Sequence, residues 1–109
     1  MQDRRMPNLI RPALPPEVEL AISVMGSRAQ AQILRNLSIL GPSTIGRLQS
    51  ATEISRPSLN RHLDFLSKAG LVKTDPPAGL RQGRDVVYAV QPVRLQGLTI
   101  DYVSYVEGS

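Results

Sequence analysis

The side chains with most to offer chemically are crowded into one short stretch. Between Ile54 and Thr74 the chain reads ISRPSLNRHLDFLSKAGLVKT, which places Arg56, Ser58, Asn60, Arg61, His62 and Lys68 close together. Arg can make paired hydrogen bonds to guanine and Asn to adenine, while Ser can bond a base or a phosphate. Catalysis has no comparable support. There is no Ser–His–Asp set and no phosphate-cradling motif, and one histidine limits acid–base work near neutral pH. No cysteine is present, so thiol catalysis, thiolate metal sites and disulfides are excluded. We expect no enzyme activity, no cofactor and no metal. His62 has neither a second His nor a Cys beside it, so a partly buried structural role is the plainer account; it could also reach a phosphate from a groove edge.

Periodicity says what positions these groups. At about 100° per residue, with Leu59 at zero, Leu63 falls near 40° and Leu66 near 340°, a narrow apolar seam. Pro57, Asn60, Arg61, Asp64 and Lys68 fall on the opposite side. Ser55 suits the N-cap, Pro57 the first turn and Gly70 the left-handed stop. The helix is therefore expected to run to Lys68 or Ala69. A short helix over about residues 44–50 precedes it, with Ser43 as its cap, Ile45 and Leu48 pointing inward, and a turn near Ser50–Glu53. A short helix, a turn and a second helix make a helix-turn-helix, whose second helix presents its N-terminal residues to the major groove. A solvated helix face explains the polar stripe equally well when the helix is taken alone.

The segment C-terminal to the helix favours DNA. LVKTD is short and extended, VVYAV is β-branched and aromatic, and PPAGLRQGRD between them is a loop by composition. The pair reads as a two-stranded β-hairpin wing whose tip carries Arg81 and Arg84, placed to meet phosphates or a minor groove. Arg47, on the helix before the turn, is a candidate for holding the phosphate backbone. The charge agrees in position. Residues 43–84 hold seven basic and three acidic side chains, whereas the rest of the chain has six of each, so the whole net charge of +4 lies in that segment.

The 109 residues suggest one domain. Residues 1–16 contain four of the nine prolines and are expected to be a flexible tail; as a basic arm, Arg4, Arg5 and Arg11 would be its contacts. The domain then spans 17–106. A first helix carries Val18, Ile22 and Met25 at helical spacing. A second, capped by Ser27, has Ala29, Ile33, Leu34, Leu37 and Leu40 on one face and stops at Gly41–Pro42. A last helix over about 93–106 carries Leu95, Leu98, Tyr102 and Tyr105. The fold expected is α+β and mostly α, a winged helix-turn-helix with flanking N- and C-terminal helices. No stretch approaches the roughly 18 apolar residues of a membrane helix, and no signal peptide is apparent.

The stretch SRPSLNRHLDFLSKAGLV resembles the helix-turn-helix core of the ArsR-type winged-helix regulators. Ser55, Pro57, Ser58, the pair His62–Leu63, Leu66 and the AGLV of Ala69–Val72 carry the likeness, and VKT with GRDVVYAV resembles that family's wing. The resemblance covers about residues 17–106; MarR-type and other winged-helix regulators share much of it. It implies a homodimeric transcription factor, most often a repressor, on palindromic double-stranded DNA. It also implies a dimer interface on the first and last helices, here Val18, Ile22, Leu98, Tyr102, Tyr105 and Val106. The implied setting is cytoplasmic and nucleoid-associated, in a bacterium, an archaeon or a phage. Many members sense metals through Cys on the recognition helix or Asp and His on the last helix. Neither set is present and Asp101 stands alone, so metal sensing is not expected. Two alternatives stay open: a partition, replication or excision factor with the same fold, and a winged helix used for protein–protein contact.

Overall fold

The computed structural model describes residues 13–77, 79 and 85–109. The tail up to residue 12 and the wing tip with Arg81 and Arg84 lie outside the described residues. Five helices and three strands follow in the order α1 (Pro16–Met25), α2 (Arg28–Leu40), β1 (Ser43–Thr44), α3 (Ile45–Thr52), α4 (Arg56–Lys68), β2 (Val72–Asp75), β3 (Val87–Val90) and α5 (Pro92–Val106). Helix–turn–helix and hairpin occupy the places expected of them, and the fold is a mostly helical winged helix-turn-helix. No described helix is long and apolar enough to cross a membrane.

Local signals set most boundaries. Ser27 caps α2 by accepting the Gln30 N–H at 3.2 Å. Gly41, at φ 79, turns the chain out of that helix into Pro42. Helix α4 begins at Ser55, whose hydroxyl accepts the Ser58 N–H at 3.4 Å. It ends in a Schellman turn. Gly70 sits at φ 80, its N–H reaches the Ser67 carbonyl at 3.1 Å, and the Leu71 N–H reaches that of Leu66 at 2.9 Å. Leu66 and Leu71, the two residues bracketing the turn, are both fully buried.

One expectation is corrected: Ser43 does not cap α3. It is buried in the sheet opposite Tyr88 and donates its hydroxyl to the Gly41 carbonyl at 2.8 Å. Thr44 caps α3 instead, and the helix continues to Thr52. The two-stranded hairpin forms where it was expected, and a third strand joins its sheet. β2 and β3 pair antiparallel from Val72↔Val90 to Asp75↔Val87, and β1 pairs with the other edge of β3, giving a three-stranded sheet in the order β1-β3-β2. That third strand ties the hairpin to the start of α3. Helix α1 buries Val18, Ala21 and Val24, while Ile22 and Met25 stay 44% and 42% exposed. Both triplets have helical spacing; packing α1 against α5 selects the one with the small Ala21 at its centre.

The core is the leucine seam extended through the whole domain. Leu59, Leu63 and Leu66 of α4 meet Leu48 of α3, Ile33 and Leu37 of α2, Leu98 of α5 and Tyr88 of the wing. Complete burial of such a side chain contributes roughly 1.5–3 kcal/mol. Helix α4 is thus held from several sides, and only one long face of it stays open.

Candidate nucleic-acid interface

The turn between α3 and α4 aims the open face. Glu53 takes the left-handed conformation at φ 60, which is uncommon for a residue with a Cβ. Thr52 braces it: its hydroxyl donates to the Leu48 carbonyl at 2.7 Å and accepts the Ile54 N–H at 3.2 Å. Ile54 packs on the core, and Ser55 starts α4 two residues after Glu53. The chain therefore reverses within three residues, and the first turn of α4 projects beside α3.

On α4, Arg56, Asn60 and Arg61 are exposed and Ser58 is half-buried. Arg61 donates to the Ser58 hydroxyl at 3.4 Å, a long bond that leaves most of its guanidinium open. Arg56 does not stand free. Its Nε donates to Gln49 Oε1 of α3 at 3.1 Å. It also lines a notch with Thr44, Ile45, Gly46, Asp85, Val86 and Tyr88, at the junction of α3 and the wing base. Asn60 lies on the wing side too, lining a second recess with Leu63, Asp64, Ser67 and Tyr88.

Lys68 is placed differently from the rest. It pairs with Asp64 one turn back at 2.9 Å, acid before base, the favourable order on a helix. It also lies about 18 Å from Arg56 along the axis, given a rise of 1.5 Å per residue. Both groups of that pair are well exposed, so it adds little stability. Arg47 is exposed on α3. Arg81 and Arg84 belong to the tip outside the described residues.

His62 is half-buried, as its place beside the seam suggested. Its Nδ1 lies 3.2 Å from Gln30 Nε2, so the ring ties α4 to the first turn of α2. Gln30 is itself buried, and its Oε1 has no partner among the described residues. No group of His, Asp and Glu able to hold a metal ion occurs among the described residues.

At the far end of the molecule, sequence reading missed an anchor. Arg94, in the first turn of α5, donates from Nη1 to Glu17 Oε2 at 2.7 Å and from Nη2 to Glu17 Oε1 at 3.4 Å. Its Nε donates to the Ala69 carbonyl at 3.2 Å, at the C-terminus of α4. One side chain thus joins α1, α4 and α5. The hydrogen bond from Arg94 holds the Glu17 carboxyl below its ordinary value of 4.5, and that carboxylate holds the guanidinium in its charged form. Gln49, Gln30 and Glu17 left no local signal, because each acquires its role from a partner on another helix.

The residues expected to form a dimer interface divide. Val18 and Leu98 are 3% and 0% exposed, covered within the chain by the packing of α1 on α5, so their placement facing a second copy is corrected. Tyr102 is half-buried against the core. Ile22, Tyr105 and Val106 are open, and so are Ile100 and Val103, which line a shallow groove along α5.

A family model for the MarR family matches residues 27–82, just over half of the chain. Among solved structures, a transcriptional regulator of the ArsR family is similar at a TM-score of 0.64 and 21% identity, over 84% of this chain and 93% of that one. The AntR antimony-specific transcriptional repressor is similar at 0.61 and 18%, over 95% of both chains. The transcriptional repressor BigR from Xylella fastidiosa is similar at 0.58 and 19%, over 80% of this chain and 84% of that one. At these identities the likeness is one of fold. No curated protein sequence matches.

Proposed function

The chain belongs to the MarR family of winged helix-turn-helix, DNA-binding transcriptional regulators, and from that premise we propose that it is a homodimeric repressor of a palindromic operator. The observation that carries this reading is the open face of α4. Its first two turns present Arg56, Asn60 and Arg61 to solvent with Ser58 half-buried among them, on a helix whose other side is a fully buried leucine seam. Such a face, rigidly backed, suits the major groove, with base edges as its targets. Arg47 and the tip arginines Arg81 and Arg84 are proposed backbone or minor-groove contacts on either side. His62 and Lys68 are the weaker candidates, one tied to Gln30 and the other paired with Asp64.

The second copy is proposed to pack on the exposed apolar residues of α1 and α5: Ile22, Tyr105 and Val106, with Ile100 and Val103. Within the wider group, the ArsR-type likeness rests on Ser55, Pro57, His62–Leu63 and Ala69–Val72. We propose no metal effector. AntR is described as antimony-specific, but this chain has no cysteine to supply the soft thiolate ligands a metalloid prefers.

The experiment is a fluorescence titration of labelled duplex DNA at several salt concentrations. Affinity should fall steeply as salt rises, with a slope set by the number of phosphates engaged. Weak, salt-insensitive binding would favour a protein-contact role for the fold instead.

A further inference from the structure

We propose that Gln49 is a positioning residue for base recognition, acting through Arg56; the inference rests on the docking of α4 in the major groove proposed above. Arg56 is the first residue of α4, the end that enters the groove in that arrangement. Its side chain is tethered backward, across the turn, by the 3.1 Å bond from Nε to Gln49 Oε1. Gly46 lies one turn earlier on the same face of α3, and a Cβ there would come 3.9 Å from Arg56 Nη2. The guanidinium therefore lies beside Gly46 at a distance that even a Cβ would accept, held at one edge by Gln49.

A guanidinium has five N–H donors in one plane. The tether uses the Nε–H and leaves the four terminal ones, which have no other partner among the described residues. The Nη1–Nη2 edge keeps two parallel donors, the pair that matches guanine O6 and N7. A phosphate contact tolerates a loosely held cation and carries no sequence information. A paired bond to a base needs the plane fixed, because both N–H groups must lie in the plane of the base. A bond from a neutral amide narrows the orientations of that plane without neutralising the charge, which a carboxylate would do. Asp85 lines the same notch, yet makes no ion pair with Arg56 among the described residues. Gln49 thereby marks Arg56 as a reader of guanine.

The test is selection from a random duplex pool with the full chain, for wild type, R56A, Q49A, Q49E and the double variant R56A/Q49A. Thermal midpoints check that each variant is folded; Arg56 is exposed and Gln49 half-exposed, so the changes are tolerable. In wild type we expect a preferred G·C pair in each half-site that R56A relaxes by about 5- to 100-fold. Q49A should relax that same pair and no other, and the double variant should lose nothing further there. Q49E keeps the acceptor, so it should keep the base preference while lowering affinity for all sequences. If Q49A keeps the full preference at the pair that R56A relaxes, the inference is overturned. A uniform loss in R56A, with no base relaxed, overturns it as well and makes Arg56 a phosphate contact. Should wild type itself select nothing, the groove docking fails and the inference falls with it.

Discussion

Helices α4 and α5 are built alike and end up opposite in character. Each buries one seam in the shared core, Leu59, Leu63 and Leu66 on one and Leu98 with Leu95 and Tyr102 on the other. Each leaves its other side open. On α4 the open side carries Asn60, Arg61, Asp64 and Lys68; on α5, beside the exposed Gln96, Thr99 and Asp101, it carries Val93, Ile100, Val103 and Val106, between 45% and 83% exposed. Water satisfies the first face and gains nothing from the second. The first therefore suits a charged, hydrogen-bonding polymer, and the second an apolar surface that removes it from water. A two-fold repeat of the chain through α5 would present two α4 helices to one duplex, which is how the two faces would serve one task.

The sharpest way to break this contrast is to make the α5 face resemble that of α4. Ile100→Glu should leave the fold intact, since the residue is 66% exposed, and weaken self-association by about 100-fold or more, because a buried unpaired charge costs several kcal/mol. Light scattering against concentration reads this; an unchanged dimer would move the interface elsewhere. Removing the seam that both helices share comes next. Leu63→Ala, at 1% exposure, should lower stability by about 2–5 kcal/mol in urea unfolding.

Changes on the open face of α4 should be invisible to folding and visible only to DNA. Asn60→Ala or Arg61→Ala is expected to cost roughly 1–3 kcal/mol of discrimination at one base pair, measured by competition between operator variants. Losses equal across all sequences would make these residues backbone contacts. Arg81→Ala or Arg84→Ala should instead weaken every sequence alike and reduce the salt slope by about 1.

The smallest effect lies at the Glu17–Arg94 pair. The folded carboxyl titrates below its ordinary value, so its contribution is present above about pH 4.5 and fades as pH falls through the lowered value. Glu17→Gln should lower stability slightly at neutral pH, converge with wild type below the lowered value, and so flatten the acid limb of the profile. Both groups are partly solvated, so the gain is small.

The same two helices show what a sequence makes legible. α4 could be outlined to within a residue because its start, seam and stop are local: Ser55, Pro57, the leucine spacing and Gly70 all act within a turn of their own positions. The site's finer arrangement was not local. Gln49 reaches Arg56 from the preceding helix, Gln30 reaches His62 from α2, and Glu17 reaches Arg94 across most of the chain. Strand β1 was missed for a related reason: two residues show no period, and Ser43 looks like a helix cap until Tyr88 is placed opposite it. On α1, two triplets close to helical spacing share Val18, and only the packing against α5 separated them.

If the open face of α4 reads duplex DNA as one half of a symmetric pair, selection from a random duplex pool must show it. The expected outcome is enrichment of a palindrome whose half-sites lie about 10–10.5 base pairs apart, centre to centre. A pool that stays random after repeated rounds, or a lone asymmetric site bound by one copy, would be incompatible with that reading.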